Sequence, residues 1–538
     1  MAGFTENPDG GMKNGTDRGI VVYSTASYPP HPWFIIYTII AGALEFARSR
    51  VPRTAESVEI RLLPMGIRDH LRHAVRKPRA QGMAALAATG RLRGLRLGWL
   101  TLGTSRYSGG AAFLVDAVKS VAAAWRLWRS CFSGGAFSAT RFLDLSYGGV
   151  QIGDLAASET LRVGRGEIAA LEPGIDLFAM LADAVLICRT CEKVPATPNA
   201  AVLVLERTYR HAVHKRALRA RGLTVIEPKM YDSASFVFVA PDEELRHPHI
   251  AKPSVHPLTA DDRLRVEEYM RERLDDPLKH LSYMIDGFND NRSMALANLD
   301  GGAVVADPSK VHVALFLHSF DDAQYYFGVD GYGDLCEWTD FTIEACLRNA
   351  SVGSVMVKVH PNMSAQTHSK NARTEAWLKR KYASQERVVW LERNASLRAI
   401  ASLGRVIGIT HHGSVAEELV FLGVPVIGFK GAAWRDGYSF VRTWSDPDAY
   451  REQLAAISVD GYRPVTPEEA DSLRLFVRES RLNPVAGDID NLSFYRRWLA
   501  ARGQDLRGAD EEALQERLAS LRSDEAVEFL EFLLASPA

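Results

Sequence analysis

Between residues 308 and 430 the chain repeats one pattern, and that pattern constrains its fold more than any other feature. Short runs of Val, Ile and Leu, "KVHVALFLHSF", "VGSVMVKVHP", "ERVVWLE", "RVIGITHHGS" and "VPVIGF", alternate with segments of helical spacing, "EWTDFTIEACLRN", "SKNARTEAWLKRKYA", "SLRAIASLG" and "AEELVFLG". The runs are short, as strands are, and too continuous for a sheet with one wet face. Strands separated by helices join in parallel through crossovers, with both faces of the sheet covered. An α/β domain is therefore expected over residues 307–480.

A chain of 538 residues exceeds one ordinary core. The first half predicts a second α/β domain over 19–240. Its strands are "GIVVYSTA", "SVEIRLLPM", "AAVLVLERTY", "LTVIEP" and "SASFVFVAP", and the helical "RHAVHKRALRARG" supplies a crossover. Residues 66–140 alternate basic and apolar groups at helical spacing, a basic helical insertion in which "AAFLVDAVKSVAAAWRLWRSCF" is the clearest helix. Residues 241–306, with "HPHIAKPSVHPLTADD" and the N-cap signature opening "TADDRLRVEEYMRERLDD", are assigned to an interdomain connector. Residues 1–18 are expected to be a disordered leader, and 481–538 an acidic helical tail.

A net charge of −1 gives no global field for nucleic acid. Locally, residues 48–129 hold 16 Lys/Arg against four acids. That excess suits an anionic membrane surface or an acidic substrate, with a solvated basic face as the plain alternative. Trp99, Trp125 and Trp128 are interleaved with it. The five cysteines are too few for a disulfide framework. Cys188 and Cys191 have metal-site spacing but no answering pair, and they follow the apolar "FAMLADAVLI", so the end of a buried strand is expected there. The first 18 residues lack the apolar core of a signal peptide, and the 12-residue run Trp33–Leu44 is too short to span a bilayer. A cytoplasmic protein is expected, with a peripheral place on the inner membrane as the extension of its basic segment.

In open α/β sheets ligands bind outside the carboxyl ends of the strands. Three successive strand ends carry histidine: His318, His360-Pro361, and His411-His412-Gly413-Ser414. Lys358 and His360 stand at period two and suit a phosphate. Gly413 and Ser414 lead into a helix start, where free N–H groups favour a diphosphate. Glu418, about one turn on, is a candidate acceptor for ribose hydroxyls; helix-dipole compensation is the plain alternative for Glu417 and Glu418. Metal ligation is disfavoured, because His411 and His412 point to different sides of an extended segment and no HExxH spacing occurs.

"VKVHP", followed about fifty residues later by "ITHHGSVAEELVFLGVPVI", resembles the C-terminal domain of GT-B glycosyltransferases, above all the bacterial capsule and lipopolysaccharide (Kdo-transferase-like) enzymes and teichoic-acid polymerases. The resemblance covers residues 308–430 and fades in the first half to "YGGVQIGDLAASETLR" and the "LERTYRHAVHKRALRARGLTVI" crossover. It implies two Rossmann-like domains facing across a cleft. The donor's phosphates would be held by the His-Pro strand end and the Ser414 turn, and its ribose by Glu418, five residues before Gly423. His411-His412 departs from the usual acidic or aromatic pair, which leaves the nucleobase open.

Sugar transfer needs a stabilised leaving phosphate and a base for the acceptor hydroxyl. Lys358, His360 and the Ser414 turn would supply the first, with no cofactor and no obligatory metal. The base is expected from the first domain, with Asp154 the leading candidate over Glu159 and Glu206; an Asp after Gly is also an ordinary turn residue. His318 either polarises the leaving group, positions the donor or serves the core, and Asp321 or Asp322 is a candidate cap for the next helix. The donor would be a nucleotide-sugar, CMP-linked in one reading, and the acceptor a surface polysaccharide or lipid-linked glycan. An epimerase, a CDP-glycerol-type phosphotransferase and an export scaffold are the alternatives.

Overall fold

The structure, a computed structural model, describes residues 20–25, 58–63, 100–104, 110–196, 200–204, 208–228, 236–238, 253–254, 256–275, 307–360, 369–392, 395–482, 491–504, 525 and 528. The leader and most of the basic segment, of the 241–306 stretch and of the tail fall outside these residues.

The first sheet contains β1 (Ile20–Thr25), β2 (Val58–Leu63), β3 (Leu100–Thr104), β8 (Ala200–Leu203), β9 (Thr224–Pro228) and β10 (Phe236–Phe238); β4 to β7 are two-residue strands forming two small ribbons within 132–151. Its order is β10-β9-β8-β1-β2-β3, parallel throughout except for the antiparallel edge strand β10. The second sheet contains β11 (Val311–Phe316), β12 (Val352–Lys358), β13 (Val388–Leu391), β14 (Val406–Thr410), β15 (Val426–Phe429) and β16 (Arg442–Trp444). It is wholly parallel, in the order β13-β12-β11-β14-β15-β16. Numbered from its own first strand, each sheet runs 3-2-1-4-5-6, the Rossmann order, in which the chain reverses direction of growth between strands 1 and 4. Two such domains in one chain make the GT-B plan. Every residue of β11, β14 and β15 is buried, as double coverage demands.

Three elements differ from the sequence reading. "FAMLADAVLI" is not a strand: Ile175–Cys191 is a helix whose residues 181–188 are all buried. A helix apolar on every side has no visible 3.6-residue stripe, so periodicity misreads it. Cys188 and Cys191 lie one turn apart inside it, their thiols pushed up by burial, Cys188 to about 12. β3 falls within the stretch read as helical insertion. The helix Ala260–Asp275 lies against the second domain, with Val266 and Met270 in its core. Trp128, expected among membrane-facing tryptophans, is buried instead among Phe132, Phe137, Phe142 and Phe178.

Candidate functional site at the β11–β14 switch point

β12, β11 and β14 are neighbours at the centre of the second sheet, so their carboxyl ends form one continuous rim. His318 lies two residues beyond β11, His360 two beyond β12, and His411-His412 directly follow β14. The crevice between β11 and β14 is where the sheet's order reverses, the place this topology leaves open for a ligand. Half-buried Lys358 and His360 alternate with buried Val357 and Val359, which puts both on one side of the strand end. Burial pushes the Lys358 amine down to about 8, against the opposing pull of Glu418. Pro361 and Glu206 lie outside the described residues.

The histidine rings pack closely. His318 and His412 stack with centroids 3.9 Å apart, and His411 stands nearly perpendicular to His412 at 4.9 Å. His411 Nδ1 lies 2.7 Å from His412 Nδ1, and its Nε2 lies 2.5 Å from an oxygen of Asp330. His318 Nε2 accepts from the His412 amide at 3.2 Å and lies 3.2 Å from Thr410 Oγ1. Burial holds His318 well below the ordinary imidazole range, with His411 and His360 adding to the effect; burial does the same for His412, helped by His318, His411 and His360. Both rings are therefore neutral at pH 7. Gly413 is required by this packing, since a Cβ there would stand 2.7 Å from Thr410 Oγ1 and 3.2 Å from the His318 ring. No group of three or more His, Cys, Asp or Glu among the described residues is arranged to hold a metal ion.

Beyond Gly413, Ser414 caps the short helix Val415–Phe421 without a side-chain bond. Glu417 and Glu418 do more than offset a dipole. Arg273, 1% exposed, reaches in from the helix Ala260–Asp275, placing Nη1 2.8 Å from Glu417 and Nε 2.7 Å from Glu418, and Arg481 adds a second bond to Glu417 at 2.8 Å. Glu418 thus keeps one oxygen on Arg273 while its charge is felt by Lys358.

The first-domain candidates are less open than the sequence suggested. Asp154 begins the helix Gly153–Val163, is 2% exposed, and gives both oxygens to Arg216 at 2.7 and 2.8 Å. Both of its oxygens are thus engaged by the arginine fork. Glu159 is likewise held by Arg210 at 3.0 Å. Neither Asp321 nor Asp322 caps a helix. Asp334 caps Leu335–Arg348, while Asp321 bonds Asn371 and Asp322 accepts from Tyr209.

The domains meet beside this rim. Tyr209 donates to Asp322 at 2.6 Å and accepts from Arg162 at 2.6 Å and from the Ala323 amide at 3.0 Å. Lys370 holds the Leu161 carbonyl at 2.7 Å, and Asp334, besides its cap, accepts from the Leu171 amide at 2.7 Å. Sequence reading missed Asp330, Arg273 and Tyr209 alike. Asp330 sits in "FGVDGYGD", where an aspartate among glycines reads as a turn residue, and nothing local marks its partner 81 residues away.

No protein-family model and no curated protein sequence matches the chain. Among solved structures it is similar to an Escherichia coli trehalose-6-phosphate enzyme bound with UDP-2-fluoro glucose, at 12% identity, TM-score 0.26, over 86% of this chain and 96% of that one. It is similar also to an α,α-trehalose-phosphate synthase (UDP-forming) from Burkholderia vietnamiensis, at 12% identity and TM-score 0.27, over 87% and 95%. A third likeness is to a Methanocaldococcus jannaschii UDP-GlcNAc 2-epimerase in complex with UDP-GlcNAc and UDP, at 10% identity and TM-score 0.23, over 84% and 97%. Likenesses this distant assign no residue and no activity.

Proposed function

We propose that the chain is a glycosyltransferase moving a sugar from a nucleotide-sugar donor to a surface-polysaccharide or lipid-linked glycan. The observation that carries the reading is the gathering of His318, Lys358, His360 and His411–Ser414 on adjacent strand ends, at the switch point of a Rossmann-order sheet. A cation with imidazole rings beside it at that crevice suits a phosphate leaving group. Lys358 and His360 would hold the phosphate, with Pro361 shaping the strand end. The Gly413-Ser414 turn would let it approach the backbone, and the remaining oxygen of Glu418 would take a ribose hydroxyl. The charge the departing phosphate acquires is then met by the protein, without need of a metal. His412 borders the same crevice, with His411 buried behind it at 2% exposure rather than open to a ligand; a CMP-linked donor is one candidate there.

The acceptor side rests on the helix Gly110–Ser130, where Leu114, Val118, Val121 and Trp125 are 57%, 69%, 41% and 53% exposed beside Lys119, Arg126 and Arg129. Apolar residues flanked by cations suit an anionic membrane surface carrying a lipid-linked acceptor, and a peripheral place on the inner membrane would follow. Among the described residues no helix is long and apolar enough to cross a membrane.

Incubating the full chain with CMP-, UDP-, GDP- and CDP-linked sugars, with and without glycan acceptors, tests the reaction through nucleotide release. Acceptor-dependent release is expected. Sugar interconversion without acceptor would replace transfer by epimerisation, and no turnover of any donor would overturn both.

A further inference from the structure

The contacts of Asp330, His411 and His412 limit where their protons can lie. Asp330 accepts the Tyr332 amide on one oxygen at 2.9 Å and faces His411 Nε2 with the other at 2.5 Å. A carboxylate has no proton to give, so His411 Nε2 carries one. With a single proton on the His411 ring its Nδ1 is bare, and the 2.7 Å contact then places the proton on His412 Nδ1. His412 Nε2 is left as an acceptor, and no described residue donates to it. The stacked His318 is fixed the opposite way. Its Nε2 receives the His412 amide, so its proton sits on Nδ1. The stacked, half-buried pair thus carries one bare nitrogen, on His412, and one N–H, on His318.

We propose that His411 rests with one proton and that Asp330, His411 and His412 form a proton relay in which His412 Nε2 is the base for the acceptor hydroxyl, with His411 and Asp330 as positioning residues. The chemical role rests on the proposed sugar transfer; the proton arrangement does not. In the step, the acceptor oxygen bonds to the anomeric carbon as the bond from that carbon to the phosphate oxygen breaks, its electron pair leaving on the phosphate. The hydroxyl proton goes to His412 Nε2, the proton on His412 Nδ1 passes to His411 Nδ1, and the positive charge rests on His411 beside Asp330. The relay takes the charge from His412, whose other neighbours, His318 and His360, disfavour a cation, to a ring against a buried carboxylate. Phe429, Trp338 and Trp444 surround that ring and keep the pair dry. It also gives the site a base although Asp154 and Glu159 are bound to arginines.

Two measurements on the full chain test this. In protein carrying 15N-labelled imidazoles, resting His412 should be protonated at Nδ1 and His411 at Nε2. A proton on His412 Nε2 overturns the relay, whatever the reaction proves to be. With a donor that turns over, Asp330→Asn should lower kcat about 100-fold while donor KM stays within a factor of about two. An unchanged kcat, or a change confined to donor KM, overturns it. Failure of the wild-type chain to release nucleotide from any donor refutes the transferase reading and the catalytic role together, and the tautomers then decide the proton arrangement alone.

Discussion

The amide of Ala323 donates to the hydroxyl of Tyr209 at 3.0 Å, and these are the two non-glycine residues of positive φ among the described residues, at +47° and +60°. Each strained residue comes from a different domain. Left-handed backbone costs about 1 kcal/mol or more at such residues and persists where the surroundings over-determine it. Here the surroundings are the junction itself, a few residues beyond His318.

Tyr209→Phe removes a hydroxyl that joins Arg162, Asp322 and Ala323, and leaves a half-buried amide without its acceptor. The remaining Arg162–Asp322 pair, 52% and 57% exposed, contributes little. A loss of about 1–3 kcal/mol is expected in urea denaturation. An unmoved midpoint would show that the junction does not depend on this hydroxyl.

Arg273→Met should destabilise the chain by about 3–5 kcal/mol, because it leaves buried Glu417 with Arg481 alone and Glu418 without its cation. Burial pushes the Glu417 carboxyl up, but Arg481 and Arg273 together hold it below its usual value. A depressed carboxylate adds stability that is present above its unfolded value and lost as pH falls through the folded one. Wild-type stability from this cluster should therefore fade only in acid. In Arg273→Met, where burial faces one cation fewer, the loss should begin at higher pH. Urea midpoints from pH 3.5 to 7 check the order of the two curves.

Lys358, held down to about 8 by burial, should bind phosphate well below that pH and lose its charge above it. Nucleotide affinity should fall as pH rises through about 8, and Lys358→Met should be weaker and flat over the same range. Identical slopes for the two proteins, read by calorimetry, would remove Lys358 from the site.

Binding to anionic vesicles should be lost on Val118→Asp combined with Trp125→Asp, both exposed on the helix Gly110–Ser130. Co-sedimentation that survives the double substitution would take this helix out of any membrane contact.

Much of the second domain is legible because its physics is local. Each buried strand of a parallel sheet is a continuous apolar run, and "VIGIT" or "VALF" announces itself. Topology then places His318, His360 and His411 on one rim without any contact having to be guessed. What stayed hidden was non-local. The ion pair of Arg273 with Glu417 spans 144 residues and the bond of Asp330 to His411 spans 81, with no periodicity linking the partners. Ile175–Cys191 failed for another reason: burial on all sides erases the stripe that distinguishes a helix from a strand.

The most direct measurement is calorimetric titration of the full chain with CMP-, UDP-, GDP- and CDP-linked sugars, repeated on His360→Ala and Lys358→Ala. At least one donor should bind the wild-type chain, and each substitution should weaken it about tenfold, the loss of one charge-assisted contact. Binding of none, or binding indifferent to both substitutions, would contradict a nucleotide-sugar site at the β11–β14 rim.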